Sequence, residues 1–167
     1  MKKNNLSFLD FNIEPVAIIG GGVTGASLAF SLKKRNIECF IVEKGHELGN
    51  GASGNLVAFQ MPKLTLDDSI YGIFSLRSYL YSRNLAINLD SVPISNGVII
   101  FPNRDRENKK FEELLNFKWP YELFHNYKSV EFQNFKNLHL FPNSGIVETK
   151  NFLKNLSKSV KFINNFE

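Results

Sequence analysis

The sequence predicts an α/β fold that begins with a parallel βαβ unit. Two short apolar runs, Val16–Ile19 and Cys39–Val42, are typical of strands buried on both faces of a sheet. A glycine-rich turn lies between them, followed by Ala26–Lys34, where apolar residues recur at helical spacing. A strand, a tight turn, a helix and a second strand within about thirty residues make one right-handed βαβ unit.

Length and composition favour one globular domain with a real core. The 167 residues are 43% hydrophobic and 22% charged, which excludes disordered, collagen-like and disulfide-scaffold classes. Cys39 is the one cysteine, so no internal disulfide can form and a reducing, cytoplasmic location is expected. The net charge of +4 is spread thinly and does not by itself indicate an acidic partner. We predict no secretory signal, because Asp10, Asn12 and Glu14 interrupt any apolar N-terminal region, and no membrane span, because the longest nearly uncharged run, Val16–Ser31, contains four glycines.

Further helices and strands are predicted after the βαβ unit. Leu48–Asn55 is loop-like, and Asp67–Leu89 is the longest predicted helix. The face of this helix that we expect in the core is formed by Ile70, Ile73, Phe74, Leu80 and Tyr81. Residues 118–141 give mixed strand and helix patterns without a clear order. The remaining predictions are a strand at Gly97–Phe101, helices at Arg104–Phe117 and Thr149–Ser159, and a strand at Val160–Ile163.

The turn after the first strand, residues 20–25, has the spacing G-x-G-x-x-G in the context that gives this motif meaning. Gly20 makes the tight turn, Gly22 lets the backbone approach a pyrophosphate, and Gly25 allows the helix to pack closely. The helix N-terminus then offers N–H groups and partial positive charge to phosphates. Glu43 ends the second strand, 18 residues after Gly25, where a carboxylate can accept both ribose hydroxyls. These features predict a dinucleotide site without separating FAD from NAD; the alternative is a glycine-rich turn without a ligand.

The segment after the second strand resembles the opening of the D-amino-acid-oxidase-like (DAO) FAD-dependent oxidoreductases. The likeness lies in the first strand and its turn, in Glu43-Lys44-Gly45 and in Gly51-Ala52-Ser53-Gly54-Asn55. Within this family, that last run and Met61-Pro62-Lys63-Leu64 are most similar to the FAD-dependent half of bifunctional enzymes. Those enzymes make 5-methylaminomethyl-2-thiouridine at the tRNA wobble position. The resemblance is to the N-terminal part of that half only.

This resemblance implies a FAD-binding, Rossmann-like (glutathione-reductase-like) fold interleaved with the start of a substrate-binding α+β domain and truncated. The implied division is a loose lead-in at 1–14, FAD-binding segments at 15–60 and 141–167, and part of a substrate-binding domain at 61–140. The chain is then expected to be an inactive fragment. A missing C-terminal half or a methyltransferase is an expected partner.

The resemblance also implies the roles of individual residues. Gly20, Gly22 and Gly25, with Val23 and Thr24, would hold the FAD pyrophosphate, and Glu43 would hold the adenosine ribose. Lys44 would border the adenine. The residues expected near the ribityl chain and the isoalloxazine edge are Gly51, Ala52, Ser53, Gly54 and Asn55, although an ordinary turn also explains that run. Lys63 and Arg77 are candidate anchors for a substrate carboxylate or phosphate.

The implied reaction is oxidation of a substrate C–N bond to an imine, followed by hydrolysis. The expected substrate is carboxymethylaminomethyl-(2-thio)uridine in tRNA. The alternatives are a free amino-acid or glycine-type oxidase or dehydrogenase of the same family, a nicotinamide dehydrogenase, and a non-catalytic remnant. We expect no metal, because His46, His125 and His139 lack ligand spacing and suit surface or packing roles. Asp67-Asp68 suits helix capping, and the Lys150, Lys154, Lys158 stripe suits a solvated face.

Overall fold

Two units make up the part of the chain whose structure is described. The structure is a computed structural model that describes residues 14–91, 95–135 and 137–165. The first unit joins the described residues up to Gly54 with those from Leu156 onward, and the second is Asn55–Asn155. The predicted lead-in at 1–14 therefore lies outside the described residues except for Glu14.

The described residues form seven strands and four helices. In order they are β1 (Val16–Ile19), α1 (Val23–Lys33), β2 (Cys39–Val42), β3 (Val57–Gln60), α2 (Ile70–Asn88), β4 (Ser95–Ile100), α3 (Asp105–Leu115), β5 (His125–Tyr127), β6 (Leu138–Glu148), α4 (Thr149–Leu156) and β7 (Lys161–Ile163). Ala52–Gly54 forms a short 3₁₀ turn. Within the described residues, no helix is both long enough and apolar enough to cross a membrane.

The first unit is a parallel sheet with the strand order β1-β2-β7. Val16 pairs with Cys39 across β1 and β2, and Phe40 pairs with Lys161 across β2 and β7. Helix α1 contacts β1 and β2 through small buried residues, Ala26 and Ala29, which let the helix backbone approach the sheet. The core residues are Ile18, Ala29, Cys39 and Ile41. The predicted βαβ unit is confirmed, and β7 adds a third parallel strand.

Helix α1 begins at Val23, three residues before the predicted start at Ala26. Gly22 is its N-cap and has extended backbone, with φ −75° and ψ −176°. The last half of the glycine motif therefore forms the first turn of the helix. The prediction began too late because Val23, Thr24 and Gly25 are weak helix formers, whereas the backbone becomes helical directly after the extended Gly22.

The second unit is an antiparallel sheet built around β6. Strand β4 pairs along one edge of β6, while β5 and β3 share the other edge. The sequence analysis predicted neither β3 nor β6. Strand β6 contains Pro142, Asn143, Ser144 and Gly145, which are turn residues and hide its strand pattern.

A β-bulge in β6 accommodates these turn residues. Val98 pairs with Phe141 and Asn96 pairs with Gly145, so two steps along β4 match four along β6. Gly97, at φ +91°, lies at this point of β4 in the left-handed region that favours glycine. The extra residues bend β6 locally and redirect the side chains of residues 142–144.

Helix α2 is confirmed, but the predicted core face of the helix is wrong. Ile70 is 89% exposed, Phe74 is 69% exposed and Tyr81 is 61% exposed, and Ile73 and Leu80 are exposed as well. The buried residues are Gly72, Tyr79, Leu85 and Ala86. The cause is that α2 carries apolar residues on both faces. The buried face includes the small residues Gly72 and Ala86, which let the helix backbone pack closer to its neighbours than the large residues of the predicted face would.

The capping prediction for Asp67-Asp68 needs correction as well. The N-cap of α2 is Ser69, whose Oγ accepts from the Gly72 N–H at 3.2 Å. Ser69 also donates to Asp67 Oδ1 at 2.8 Å, and this bond is the main cause that lowers the pKa of Asp67. Asp67 therefore orients the cap instead of being the cap.

Candidate dinucleotide site

The glycine turn between β1 and α1 is held in a conformation that needs two of its glycines. Gly20 has φ +97°, and its N–H donates to Val42 O at 2.7 Å, which fixes the turn to the end of β2. A Cβ built on Gly25 would overlap the carbonyl oxygen of Gly20. Only glycine at position 25 lets the first turn of α1 lie this close to the end of β1.

The first turn of α1 is exposed at Val23 and Thr24, and its N-terminus contacts Ser53. Gly22 has no side chain to cap the helix, and the first turn contains no acidic residue. Ser53 Oγ accepts from the Val23 N–H at 3.1 Å, and a Cβ on Gly22 would lie 3.3 Å from the same oxygen. Because a hydroxyl can accept and donate at once, Ser53 retains its own O–H for an anion placed here. Anions are stabilised at such a helix end.

Glu43 lies beside the same turn and is held by backbone N–H groups. Its Oε2 accepts from the Gly21 N–H at 2.6 Å, and its Oε1 accepts from the Gly45 N–H at 3.1 Å. The bond from Gly21, followed by that from Gly45, lowers the pKa of Glu43 below its usual value. The group is therefore an oriented carboxylate at neutral pH. Its remaining lone pairs can accept hydroxyl donors.

The structure brings only part of the predicted site together. The Gly20–Gly25 turn, Glu43 and Ser53 are linked by the contacts above, and Gly54 packs against Gly49, whose carbonyl oxygen would lie 2.5 Å from a Cβ on Gly54. The Lys44 side chain is exposed, as are Gly51 and Ala52. Asn55 begins the second unit, which also contains Lys63 and Arg77.

The sequence analysis missed three residues that shape this site. Gly21 and Gly45 donate the two N–H groups that hold Glu43, and Gly49 donates to Gly21 O at 3.0 Å. A Cβ on Gly21 would lie 2.7 Å from Leu48 Cδ2 and 3.2 Å from Glu43 Oε2. The sequence does contain a signal for these residues: Gly21 is a glycine at a position that the G-x-G-x-x-G pattern leaves open, and Gly45 and Gly49 closely follow Glu43.

No metal centre is formed by the side chains that the structure describes: they include no group of three or more His, Cys, Asp or Glu placed to hold an ion. His139 is buried between aromatic rings, with its ring centroid 4.8 Å from that of Phe111 and 5.6 Å from that of Phe124. Burial lowers the pKa of His139, so its ring is neutral at physiological pH. Of the surface and packing roles predicted for the three histidines, His139 has the packing role.

A parallel βαβ unit with a glycine turn, an open helix N-terminus and an acid at the end of β2 defines the class of dinucleotide-binding α/β proteins. The particular family follows from comparison with known sequences. The model of the FAD dependent oxidoreductase (DAO) family matches residues 15–162, and the chain belongs to this family. This confirms the resemblance predicted from the sequence.

Curated relatives include the tRNA 5-methylaminomethyl-2-thiouridine biosynthesis bifunctional proteins MnmC. The protein from a Marinomonas species is 34% identical over 109 residues, which are 64% of this chain and 16% of the relative. The protein from Shewanella frigidimarina is 44% identical over 72 residues, which are 43% of this chain and 10% of the relative. The chain therefore matches a small part of each relative's length.

Solved structures show the same fold at lower identity. Glycine oxidase from Geobacillus kaustophilus superposes with a TM-score of 0.67 at 22% identity, over 89% of this chain and 45% of that chain. L-Amino acid deaminase from Proteus myxofaciens gives 0.72 at 20% identity, over 93% of this chain and 39% of that chain. Both superpositions cover both units of this chain and less than half of the neighbour.

Proposed function

We propose that the first unit binds the ADP half of FAD and that the second unit forms part of a substrate-binding region. The observation that carries this proposal is the placement of Glu43 and Ser53 on the two sides of the glycine turn. The Glu43 carboxylate contacts Gly21, and the Ser53 hydroxyl contacts Val23. A hydrogen-bond acceptor for ribose hydroxyls and a hydrogen-bond donor to a phosphate thus contact the turn at positions two residues apart. This arrangement suits an adenosine diphosphate.

The residues present fit this group. The pyrophosphate would lie on the N-terminus of α1, where Gly22 leaves room and the Ser53 O–H can donate to an oxygen. Glu43 would accept from the ribose hydroxyls while the N–H groups of Gly21 and Gly45 keep its carboxylate oriented. When bound, FAD supplies the acceptor for a hydride from a substrate carbon. Lys44, Gly51, Ala52, Gly54 and Asn55 remain proposed neighbours of the cofactor.

For the substrate, we propose an amine attached to a carboxymethyl group, and specifically carboxymethylaminomethyl-(2-thio)uridine at the tRNA wobble position. The proposal is supported by family membership and by the names of the curated relatives, which are tRNA 5-methylaminomethyl-2-thiouridine biosynthesis proteins. Lys63 is exposed, with its Nζ 5.3 Å from the Tyr71 ring centroid, and Arg77 is exposed on α2. Both cations are proposed anchors for a carboxylate or phosphate.

Cofactor binding is tested first, by titrating the purified chain with FAD and displacing the FAD with ADP. We expect saturable FAD binding that ADP competes away, and weakening by at least about tenfold in Glu43→Gln, because one acceptor oxygen is lost. Lys33→Gln, at the opposite end of α1, is the matched charge control and should bind FAD as the wild type does. Binding that ADP does not affect would contradict the assignment.

The substrate is tested separately with the FAD-loaded product of the complete reading frame that contains this chain, because the chain by itself is expected to be inactive, and with a full-length relative as the positive control. Loss of the carboxymethyl group is followed by mass spectrometry of tRNA nucleosides, and glycine oxidation is followed in parallel as the competing activity. Turnover of the modified uridine but not of glycine supports the tRNA substrate. Turnover of glycine alone would replace it with a free amino acid and leave the FAD assignment intact.

A further inference from the structure

A cleft in the second unit lies between α2 and the segment that follows α3. Its volume is about 300 Å³, near the lower end of the range for ligand pockets. Apolar side chains form most of its walls, and one arginine reaches into it: the residues are Leu76, Leu80, Trp119, Pro120, Leu123 and Arg83. An apolar cleft with one oriented cation suits a ligand that has an apolar body and one negative group.

Arg83 is fixed in this cleft by two hydrogen bonds to one residue. Its Nε donates to Asn143 O at 3.0 Å, and its Nη2 donates to Asn143 Oδ1 at 3.1 Å. Asn143 lies in the bulge of β6, which redirects it toward α2. These bonds use two of the five guanidinium N–H donors and hold the planar group in one orientation. The other donors can bind a carboxylate through both oxygens.

Trp119 forms the apolar wall of the cleft and has an unsatisfied donor. Its ring stacks on Phe117, with centroids 6.1 Å apart. The indole Nε1–H is buried and has no hydrogen-bond partner among the described residues. Buried tryptophan N–H groups usually have an acceptor. Because this N–H is itself buried, Trp119 offers its apolar ring to the cleft rather than a donor.

We propose that the cleft binds a small amphipathic carboxylate, with the carboxylate on Arg83 and the apolar body against Trp119. An aryl- or alkyl-carboxylic acid of about ten to fifteen non-hydrogen atoms suits a pocket of this volume. Every lining residue belongs to the second unit, whereas the residues of the dinucleotide site belong to the first. Glu122 also lines the cleft as an exposed carboxylate, and its charge disfavours a second negative group on the ligand.

The proposal is tested by the fluorescence of Trp119, the one tryptophan of the chain. The chain is titrated with 4-phenylbutyrate and with the matched neutral amide, 4-phenylbutyramide. We expect the carboxylate to bind at least about tenfold tighter than the amide, because a charge-assisted bidentate pair is lost in the amide. No saturable change with the carboxylate, or equal binding of both compounds, would overturn the proposal.

Arg83 variants locate the effect. Arg83→Gln should abolish the preference for the carboxylate. Arg83→Lys should retain a reduced preference, because lysine keeps the charge but lacks the planar guanidinium group. The control variant Arg106→Gln, on α3, should bind as the wild type does. A full preference in folded Arg83→Gln would place the carboxylate elsewhere and overturn the proposal. If Arg83→Gln does not fold, the comparison of Arg83→Lys with the wild type replaces it. A reduced preference for the carboxylate in Arg83→Lys supports the proposal, and an unchanged preference overturns it.

Discussion

The two units differ in how far apart along the chain the residues that form their characteristic structure lie. In the first unit, β1, the turn, α1 and β2 follow one another within residues 16–42, and the site depends on this local part, although β7 joins the same sheet from residues 161–163. In the second unit, the central strand β6 pairs with β3 and β4, which lie far from it along the chain. A local motif can therefore be recognised from sequence, whereas a long-range pairing partner cannot.

The chemistry of the two units differs in the same way. The first unit presents backbone N–H groups, a hydroxyl and an oriented carboxylate around a glycine turn. The second presents side chains on helices and on a bulged strand, with Arg83 held by Asn143. Glycine substitutions should consequently damage the first unit through its backbone. Side-chain truncations should damage the second through its packing.

The largest effect is expected at Gly25. Gly25→Val should destabilise the first unit by about 3 kcal/mol or more and abolish FAD retention, because the added atoms overlap the carbonyl of Gly20. Gly51→Ala is the control for stability alone, since a Cβ there meets nothing within 4 Å, and its free energy of unfolding should not change. Chemical denaturation and flavin absorbance measure both effects. A stable Gly25→Val chain that retains FAD would show that the close helix–strand approach is not needed.

Two tyrosines on α2 sharpen the comparison in the second unit. Tyr79 is 5% exposed and contacts Ser144, whereas Tyr81 is 61% exposed. Tyr79→Ala should lower the free energy of unfolding by about 3 kcal/mol, and Tyr81→Ala by less than about 0.5 kcal/mol. If both variants lose the same free energy of unfolding in urea, Tyr81 is packed as tightly as Tyr79. That result would favour the core face predicted from the sequence over the one in the structure.

The smallest effect concerns the pH dependence of the first unit. The lowered pKa of Glu43 means that folding favours its ionised form, so its contribution is present above the ordinary pKa of 4.5 and is lost as the pH falls through the lowered value. The stability difference between wild type and Glu43→Gln should therefore be constant near neutral pH and shrink in acid. Unfolding curves at several pH values measure it. A difference that grows in acid would mean that Glu43 is not held as the structure shows.

These cases indicate how far sequence reasoning reaches. Gly20, Gly22, Gly25 and Glu43 were predicted because each has a backbone or charge requirement that is visible at fixed spacing. The contact between Ser53 and Val23 was not predicted, because it depends on how the loop after β2 folds back. The predicted face of α2 was wrong because the helix is apolar on two sides, and only tertiary packing chooses between them.

Strand β6 shows a second limit. Its Pro142-Asn143-Ser144 segment has the composition of a turn, and the bulge that accommodates it depends on pairing with Asn96 and Val98 of β4. The same bulge directs Asn143 toward Arg83. The sequence therefore predicts neither β6 nor the contact of Asn143 with Arg83, because both depend on the pairing of β6 with β4.

The most direct test of the central claim compares FAD with FMN, which carries the same flavin ring, ribityl chain and first phosphate but lacks the AMP part. If the glycine turn, Ser53 and Glu43 bind the ADP half, the chain should bind FAD at least about a hundredfold tighter than FMN. Glu43→Gln should reduce only the affinity for FAD. Equal affinities for FAD and FMN, or a Glu43→Gln variant that binds FAD like the wild type, would contradict the assignment of this turn to the dinucleotide.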